Sequence, residues 1–181
     1  MRRRHKERGA TLIEASLILP IMIAILIGTI ETGVAFKDYL TVSYASRDGA
    51  RIGALAGNDA DADCHIVHGV IDALGSEASV ADLLGLQIYR ADPATGNRIN
   101  ADTNTWILAG TDPYDCAFDW TITEKWPSTS RKTAFSASSQ LDIIGVRLYF
   151  KHDWLTGFPP FSGFFWVDEH TITRMEPESF E

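Results

Sequence analysis

A single glutamate, Glu14, interrupts a stretch of aliphatic residues near the N-terminus. An ionisable group in an apolar helix is costly unless it is hydrated or paired, and such groups usually mark a functional site. The basic residues of this region all precede the stretch, so no cation lies within one helical turn of Glu14 on its apolar side. Two interpretations stay open: Glu14 has a functional role, or it lies close enough to the interface to be hydrated.

The cysteines and two neighbouring histidines are the next candidates for chemistry. Cys64 and Cys116 both follow the apolar stretch, and an even count in an exported domain favours a disulfide. Closing a loop of roughly fifty residues would stabilise the fold by about 4 kcal/mol in the loop-entropy model; the alternative is two small buried thiols. His65 and His68 lack further ligands at zinc spacing. We therefore expect no metal site and place both histidines on one exposed helix edge.

The remaining polar patterns do not indicate an enzyme. The acidic stretch at residues 58–64 lacks the glycine and the glutamate of a calcium-binding loop, so we interpret it as a solvated loop. His152 and His170 fall on two predicted C-terminal strands and could face each other there. Nucleophile elbows, phosphate loops, dinucleotide loops and zinc-protease motifs are all absent from the sequence. We expect no catalytic residue and no cofactor.

The apolar stretch that holds Glu14 is long enough to cross a membrane. Residues 10–30 provide about the 20 apolar residues that a transmembrane helix needs. Pro20, inside this segment, should bend or loosen the helix. A cleaved secretory signal would have a shorter apolar region followed by a small-x-small site, whereas the sequence after Ile30 continues as a helix. We predict one membrane crossing.

Charge sets the expected orientation of this crossing. Five of the 16 basic residues lie within the first eight positions, against one acidic residue, Glu7. The remainder of the chain carries 11 basic and 23 acidic residues, a formal charge of −12. The basic end predicts a cytoplasmic N-terminus and an exported C-terminal domain. The acidic remainder would repel nucleic acid phosphates, so nucleic acid is excluded as a partner.

The rest of the chain predicts an α+β fold. Residues 1–9 form a basic leader, 10–30 the transmembrane helix, 31–57 its extracytoplasmic continuation, and 58–181 an exported α+β domain with an antiparallel sheet. Small residues recur at helical spacing between Ala45 and Ala54, which suits close helix packing either within the domain or between subunits. We expect a second helix over residues 66–84 that Gly75 breaks, with residues 80–84 as a separate turn. Strands are expected near 86–90, 106–108, 118–123, 143–154 and 166–175, and mainly loop at 98–118 and 127–139. The aromatic residues of 154–166 are expected to form mainly the domain core, with a part exposed for subunit contact.

The residues RGATLIEASLILPIMIAILIGTIETG resemble the N-terminus of TadE-like proteins, pilin-like components of tight-adherence (Flp-type) pilus systems. Pilin precursors of this kind are cut by a prepilin peptidase after a glycine that ends a basic leader, and a glutamate stands fifth in the mature chain. Gly9, Ala10 and Glu14 match that pattern. The Glu31-Thr32-Gly33 sequence is similar to the family's E-x-G, and the strand at 143–154 and Arg174–Pro177 are similar to C-terminal patterns of the family.

The resemblance implies a minor pilin or pseudopilin, active in pilus assembly and adhesion. It would reside in the bacterial cytoplasmic membrane before entering a filament. Its partners would be the prepilin peptidase, other pilins, the assembly platform and the membrane. Glu14 would neutralise the new amine at Ala10. Ala15 departs from the pattern, because an aromatic residue usually follows the glutamate. The alternative function is a membrane-anchored extracytoplasmic binding module that does not enter a filament.

Overall fold

The computed structural model describes residues 4–75, 80–134 and 140–176, with side chains from Thr11 onward. Its elements are helices α1 (Arg4–Ala56) and α2 (Ala62–Leu74), strands β1 (Leu83–Ala91), β2 (Arg98–Leu108) and β3 (Trp120–Thr123), a 3-10 turn (Ser128–Ser130), and strands β4 (Ile143–Asp153) and β5 (Phe164–Arg174). The predicted α+β class is confirmed. The chain divides into two compact units, Met1–Lys37 with Asp153–Phe164, and Asp38–His152 with Phe165–Glu181.

Helix α1 contains the apolar stretch. It runs for 53 residues with Pro20 inside it and ends before Gly57, whose φ of 62° is the left-handed conformation that glycine adopts at helix C-termini. Among the described residues, one helix is long and apolar enough to cross a membrane, and none of its most apolar window is buried. The side chains of this stretch therefore have no protein core of their own to cover them.

The second unit is built on a five-stranded sheet in the order β3-β2-β1-β4-β5. Strand β1 pairs antiparallel with both β2 and β4, which places Leu86 opposite Trp106 on one side and opposite Leu148 on the other. These three side chains are buried. Because side chains alternate along a strand, they define the face of the sheet that lines the core.

Small residues let the last part of α1 approach this core closely. A Cβ atom at Gly49 would lie 2.7 Å from Val70 of α2, and one at Gly53 would lie 2.7 Å from Ile144 of β4. Real Cβ contacts are longer than this, so a larger residue at either position would force the neighbouring side chains to shift. The sequence left two roles open for these small residues, packing within the domain and packing between subunits. At Gly49 and Gly53 they allow packing within the domain.

Strand β2 is where the predicted secondary structure is wrong. Residues 98–105 were expected to be loop but pair with β1 along most of its length. The misleading residue is Asn104, which is fully buried on the core face. Its amide donates to Asp63 Oδ2 and to the Trp126 carbonyl, both at 2.8 Å, and its oxygen accepts from the Lys125 and Trp126 amides. A polar residue with every hydrogen bond satisfied can occupy a core position that a sequence pattern assigns to apolar residues.

The acidic stretch at residues 58–64 is also only partly a solvated loop. Its last aspartate, Asp63, is buried and forms an ion pair with the buried guanidinium of Arg131. Arg131 also stacks over the Trp126 ring, 4.7 Å from the ring centroid. A buried carboxylate needs such a partner. The pair fixes the start of α2, which begins at Ala62 instead of the expected residue 66, against the segment that follows β3.

Candidate assembly and loop-anchoring sites

Glu14 lies on the exposed surface of α1, and none of the side chains that the structure describes pairs with it. Its neighbours Leu12, Ile13, Leu17 and Ile18 are between 48% and 71% exposed, so the carboxylate lies on an exposed apolar surface. Gly9 and Ala10 belong to the same helix, which begins at Arg4. One helical turn separates Ala10 from Glu14, about 6 Å between Cβ atoms. The side chains of residues 4–10 lie outside the described part.

Another glutamate of α1, Glu31, has the opposite environment. Its side chain is fully buried and accepts hydrogen bonds from the backbone amides of Leu155 and Thr156, at 3.0 and 2.7 Å. The Thr156 hydroxyl also donates to it at 2.5 Å. Two successive amides and a hydroxyl form a small anion-binding nest around one carboxylate. Glu31 therefore anchors the connection between β4 and β5 to α1.

This connection, residues 154–163, is called the aromatic loop below. Inside it the Trp154 and Phe161 rings meet edge to face, with centroids 5.1 Å apart. Phe161 also lies against Gly28 of α1, since a Cβ atom at Gly28 would be 3.4 Å from its ring. Phe158, by contrast, is 48% exposed. The expectation that the aromatic residues mainly fill the core is wrong for the loop, whereas Phe165, just after it, packs against the core of the second unit.

His152 connects β4 to α1 within the second unit. It is 2% exposed, and its Nδ1 lies 2.7 Å from Asp38 Oδ2, while its ring packs against Phe165 at a centroid distance of 4.8 Å. His170 is exposed on β5. The two histidines therefore do not face each other, because strand alternation puts His152 on the core face and His170 on the outer face.

Strand β5 is held to its neighbours by further polar contacts. Arg147 Nε donates to Asp168 Oδ1 at 2.6 Å, and this hydrogen bond lowers the pKa of the Asp168 carboxyl and raises the pKa of Arg147. A hydrogen bond with Glu169 raises the pKa of Tyr39, which belongs to α1. Each contact stabilises the ionised carboxylate next to a donor.

Cys64 and Cys116 form a disulfide with their Cα atoms 5.9 Å apart. His68 Nε2 lies 3.4 Å from Cys64 Sγ and 2.9 Å from the Tyr114 carbonyl. Cys64, His68 and Cys116 lie close enough together to be metal ligands. However, the two sulfur atoms are bonded to each other, so they are not the thiolates that zinc requires. His68 packs on the disulfide and His65 is exposed, so the prediction that they share one exposed edge is wrong.

Gly9, Ala10 and Glu14 thus lie on one uncovered apolar helix, five residues apart from the first to the last. Residues 9–51 match the family model of TadE-like proteins. The match confirms the resemblance over these residues and indicates involvement in a tight-adherence pilus system. No curated protein and no solved structure matches the chain.

The TadE-like segment contains both glutamates, but the sequence singled out only one of them for a role. Glu14 stands out because it interrupts an apolar run. Glu31 stands at the end of that run, where a charged residue is ordinary, and its hydrogen-bond donors lie 124 and 125 residues further along the chain. The only signal in the sequence was its place in the E-x-G pattern. The match ends at residue 51, so it does not extend to the C-terminal patterns.

Proposed function

We propose that this chain is a minor pilin or pseudopilin of a tight-adherence pilus, processed by a prepilin peptidase and acting in pilus assembly and adhesion. The observation that carries the proposal is an exposed carboxylate, Glu14, on an unburied apolar helix five residues after Gly9. The TadE-like match over residues 9–51 includes both positions. The function is structural, with no catalytic step.

The precursor enters the cytoplasmic membrane with its basic leader inside and its acidic domain outside. Gly9 suits the cleavage position, because glycine costs a helix about 1 kcal/mol relative to alanine and allows local opening of the backbone. Cleavage after Gly9 leaves a positive amine on Ala10. Ala15, in place of an aromatic residue, lowers the bulk next to the cleavage region and predicts slower processing than for a chain with the usual aromatic residue.

Glu14 then supplies the partner for that amine. In a filament, the carboxylate of one subunit pairs with the Ala10 amine of its neighbour inside a bundle of apolar helices. Both charges are neutralised only when the two helices are in one axial position. A buried charge with a single good partner acts as a registry device, so Glu14 would select the position at which the subunit is added.

The proposal is tested by Glu14→Ala, with Ser16→Ala as the matched control. Ser16 lies two residues away in the same apolar stretch and bonds only to the backbone of its own helix, at the Ile13 carbonyl. We expect both variants to reach the membrane in equal amounts, and only Glu14→Ala to lose its recovery with the other pilins of the system. Equal recovery of both variants would show that Glu14 does not direct assembly.

A second candidate is a membrane-anchored binding module that stays outside any filament. It is favoured by a groove of about 540 Å³ on the outer face of the sheet, lined among others by Gly85, Ile107, Tyr149 and Trp166. Apolar grooves of this size bind small ligands in many proteins. This function predicts that Glu14→Ala leaves ligand binding and localisation unchanged, and that the leader is retained.

A further inference from the structure

The aromatic loop lies within a stretch that carries no charge. Residues 154–167 contain no Asp, Glu, Lys or Arg, although such residues make up 22% of the chain. Leu155, Phe158 and Phe164 expose 63%, 48% and 52% of their surfaces. If the domain were surrounded by water alone, exposing these three neighbouring apolar side chains would have no evident role.

The loop is attached to α1 at the end of the apolar stretch. Phe161 contacts Gly28, which is two residues before that stretch ends at Ile30, and the Glu31 carboxylate holds Leu155 and Thr156 immediately after it. At 1.5 Å of rise per residue, these contacts span only about 5 Å along the helix axis. If residues 10–30 fill the hydrocarbon core, the loop lies at the boundary between hydrocarbon and headgroups.

The backbone of the loop is suited to a place where water is scarce. Besides the two amides bound by Glu31, the Trp154, Phe161 and Ser162 amides donate to carbonyls of the same loop segment, and the Phe158 amide donates to the Thr156 hydroxyl. Pro159 and Pro160 have no amide hydrogen to satisfy. Irregular backbone is tolerated at membrane depth only when its polar groups are satisfied internally.

We propose that the aromatic loop rests on the extracytoplasmic membrane–water interface, with Leu155 and Phe158 of the loop and Phe164 at the start of β5 in contact with phospholipid. The inference depends on the membrane insertion of α1 described under the proposed function, and does not depend on peptidase processing or filament entry. The loop acts as a second attachment beside the helix, in the way that aromatic belts anchor membrane proteins at the headgroup level. Glu31 is its positioning residue.

Depth-dependent quenching tests this placement in the full chain, reconstituted in vesicles of phosphatidylethanolamine and phosphatidylglycerol. Since both native cysteines form the disulfide, one added cysteine can carry an environment-sensitive fluorophore. The labelled variants are Phe158→Cys in the loop, Leu17→Cys within the span, and Ala94→Cys in the exposed turn between β1 and β2. Lipids with a nitroxide near the headgroup report contact with the interface, and iodide reports contact with water.

We expect the Phe158→Cys label to emit at shorter wavelength than the Ala94→Cys label, to lose intensity with nitroxide lipids and to resist iodide. Quenching by iodide alone, as expected at Ala94→Cys, would overturn the inference. Protection from both quenchers would also overturn it and would indicate a neighbouring protein copy as the occupant. A Leu17→Cys label that iodide quenches would show that the span itself is not inserted, which would contradict the proposed function as well.

Discussion

At the scale of single residues, Glu14 and Glu31 of α1 show what a sequence can and cannot reveal. Glu14 is visible because a charged residue among aliphatic residues is unusual. Glu31 is fully buried, but nothing near it in the sequence says so, since the loop that buries it is more than 120 residues away. A local pattern can identify an unusual residue and cannot identify its distant partners.

The contact between Glu31 and the aromatic loop gives a direct prediction. Glu31→Ala removes the acceptor of the Leu155 and Thr156 amides, and leaving buried donors unsatisfied costs about 1–3 kcal/mol. We expect faster amide hydrogen exchange at both residues. Thr32→Ala is the control, because the Thr32 hydroxyl bonds only to carbonyls of its own helix. Unchanged exchange in Glu31→Ala would show that the carboxylate does not hold the loop.

The Arg147–Asp168 pair predicts a dependence of stability on pH. Arg147 lowers the folded pKa of Asp168 below its ordinary value of 3.8, so the pair stabilises the fold above that value and is lost as pH falls through the folded pKa. Because Asp168 is 39% exposed, the effect is at most about 1 kcal/mol. Asp168→Asn should lower the thermal unfolding temperature at neutral pH and match the wild type near the acid limit. An equal difference at both pH values would contradict this account.

At the scale of elements, the long helix and β4 could be predicted and β2 could not. Apolar length defines α1, and alternation along residues 143–153 defines β4. In β2 the core position opposite Ile88 is occupied by Asn104, which breaks the alternation. Its hydrogen bonds to Asp63 and to the segment after β3 exist only in the folded chain, so the pattern alone indicated a loop.

Two glycines of α1 offer a matched test of helix packing. A Cβ atom at Gly53 would lie 2.7 and 2.8 Å from the tips of Ile144 and Ile66, whereas one at Gly33 would meet nothing within 4 Å. Overpacking a core costs about 1–3 kcal/mol, so Gly53→Leu should lower the free energy of unfolding by that amount. Gly33→Leu should not lower it, since leucine is also the better helix former. Equal denaturant midpoints for the two variants would refute this packing.

At the scale of the whole molecule, the chain combines an acidic C-terminal domain with an apolar helix whose most apolar window is not buried among the described residues. Burying apolar surface is the main favourable term in membrane insertion, so an uncovered apolar helix suits a bilayer. In the proposed function, neighbouring pilin helices would later replace the lipid. The family match covers the helix and not the domain, so the domain architecture had to come from the structure.

As a pilin precursor, the chain would mature by losing its leader. Mass spectrometry of its N-terminal peptide can detect this loss in membranes from cells with and without the prepilin peptidase. We expect a mature chain that begins at Ala10 when the peptidase is present, and a chain that retains residues 1–9 when it is absent. Retention of residues 1–9 in both strains would show that the proposed maturation does not occur.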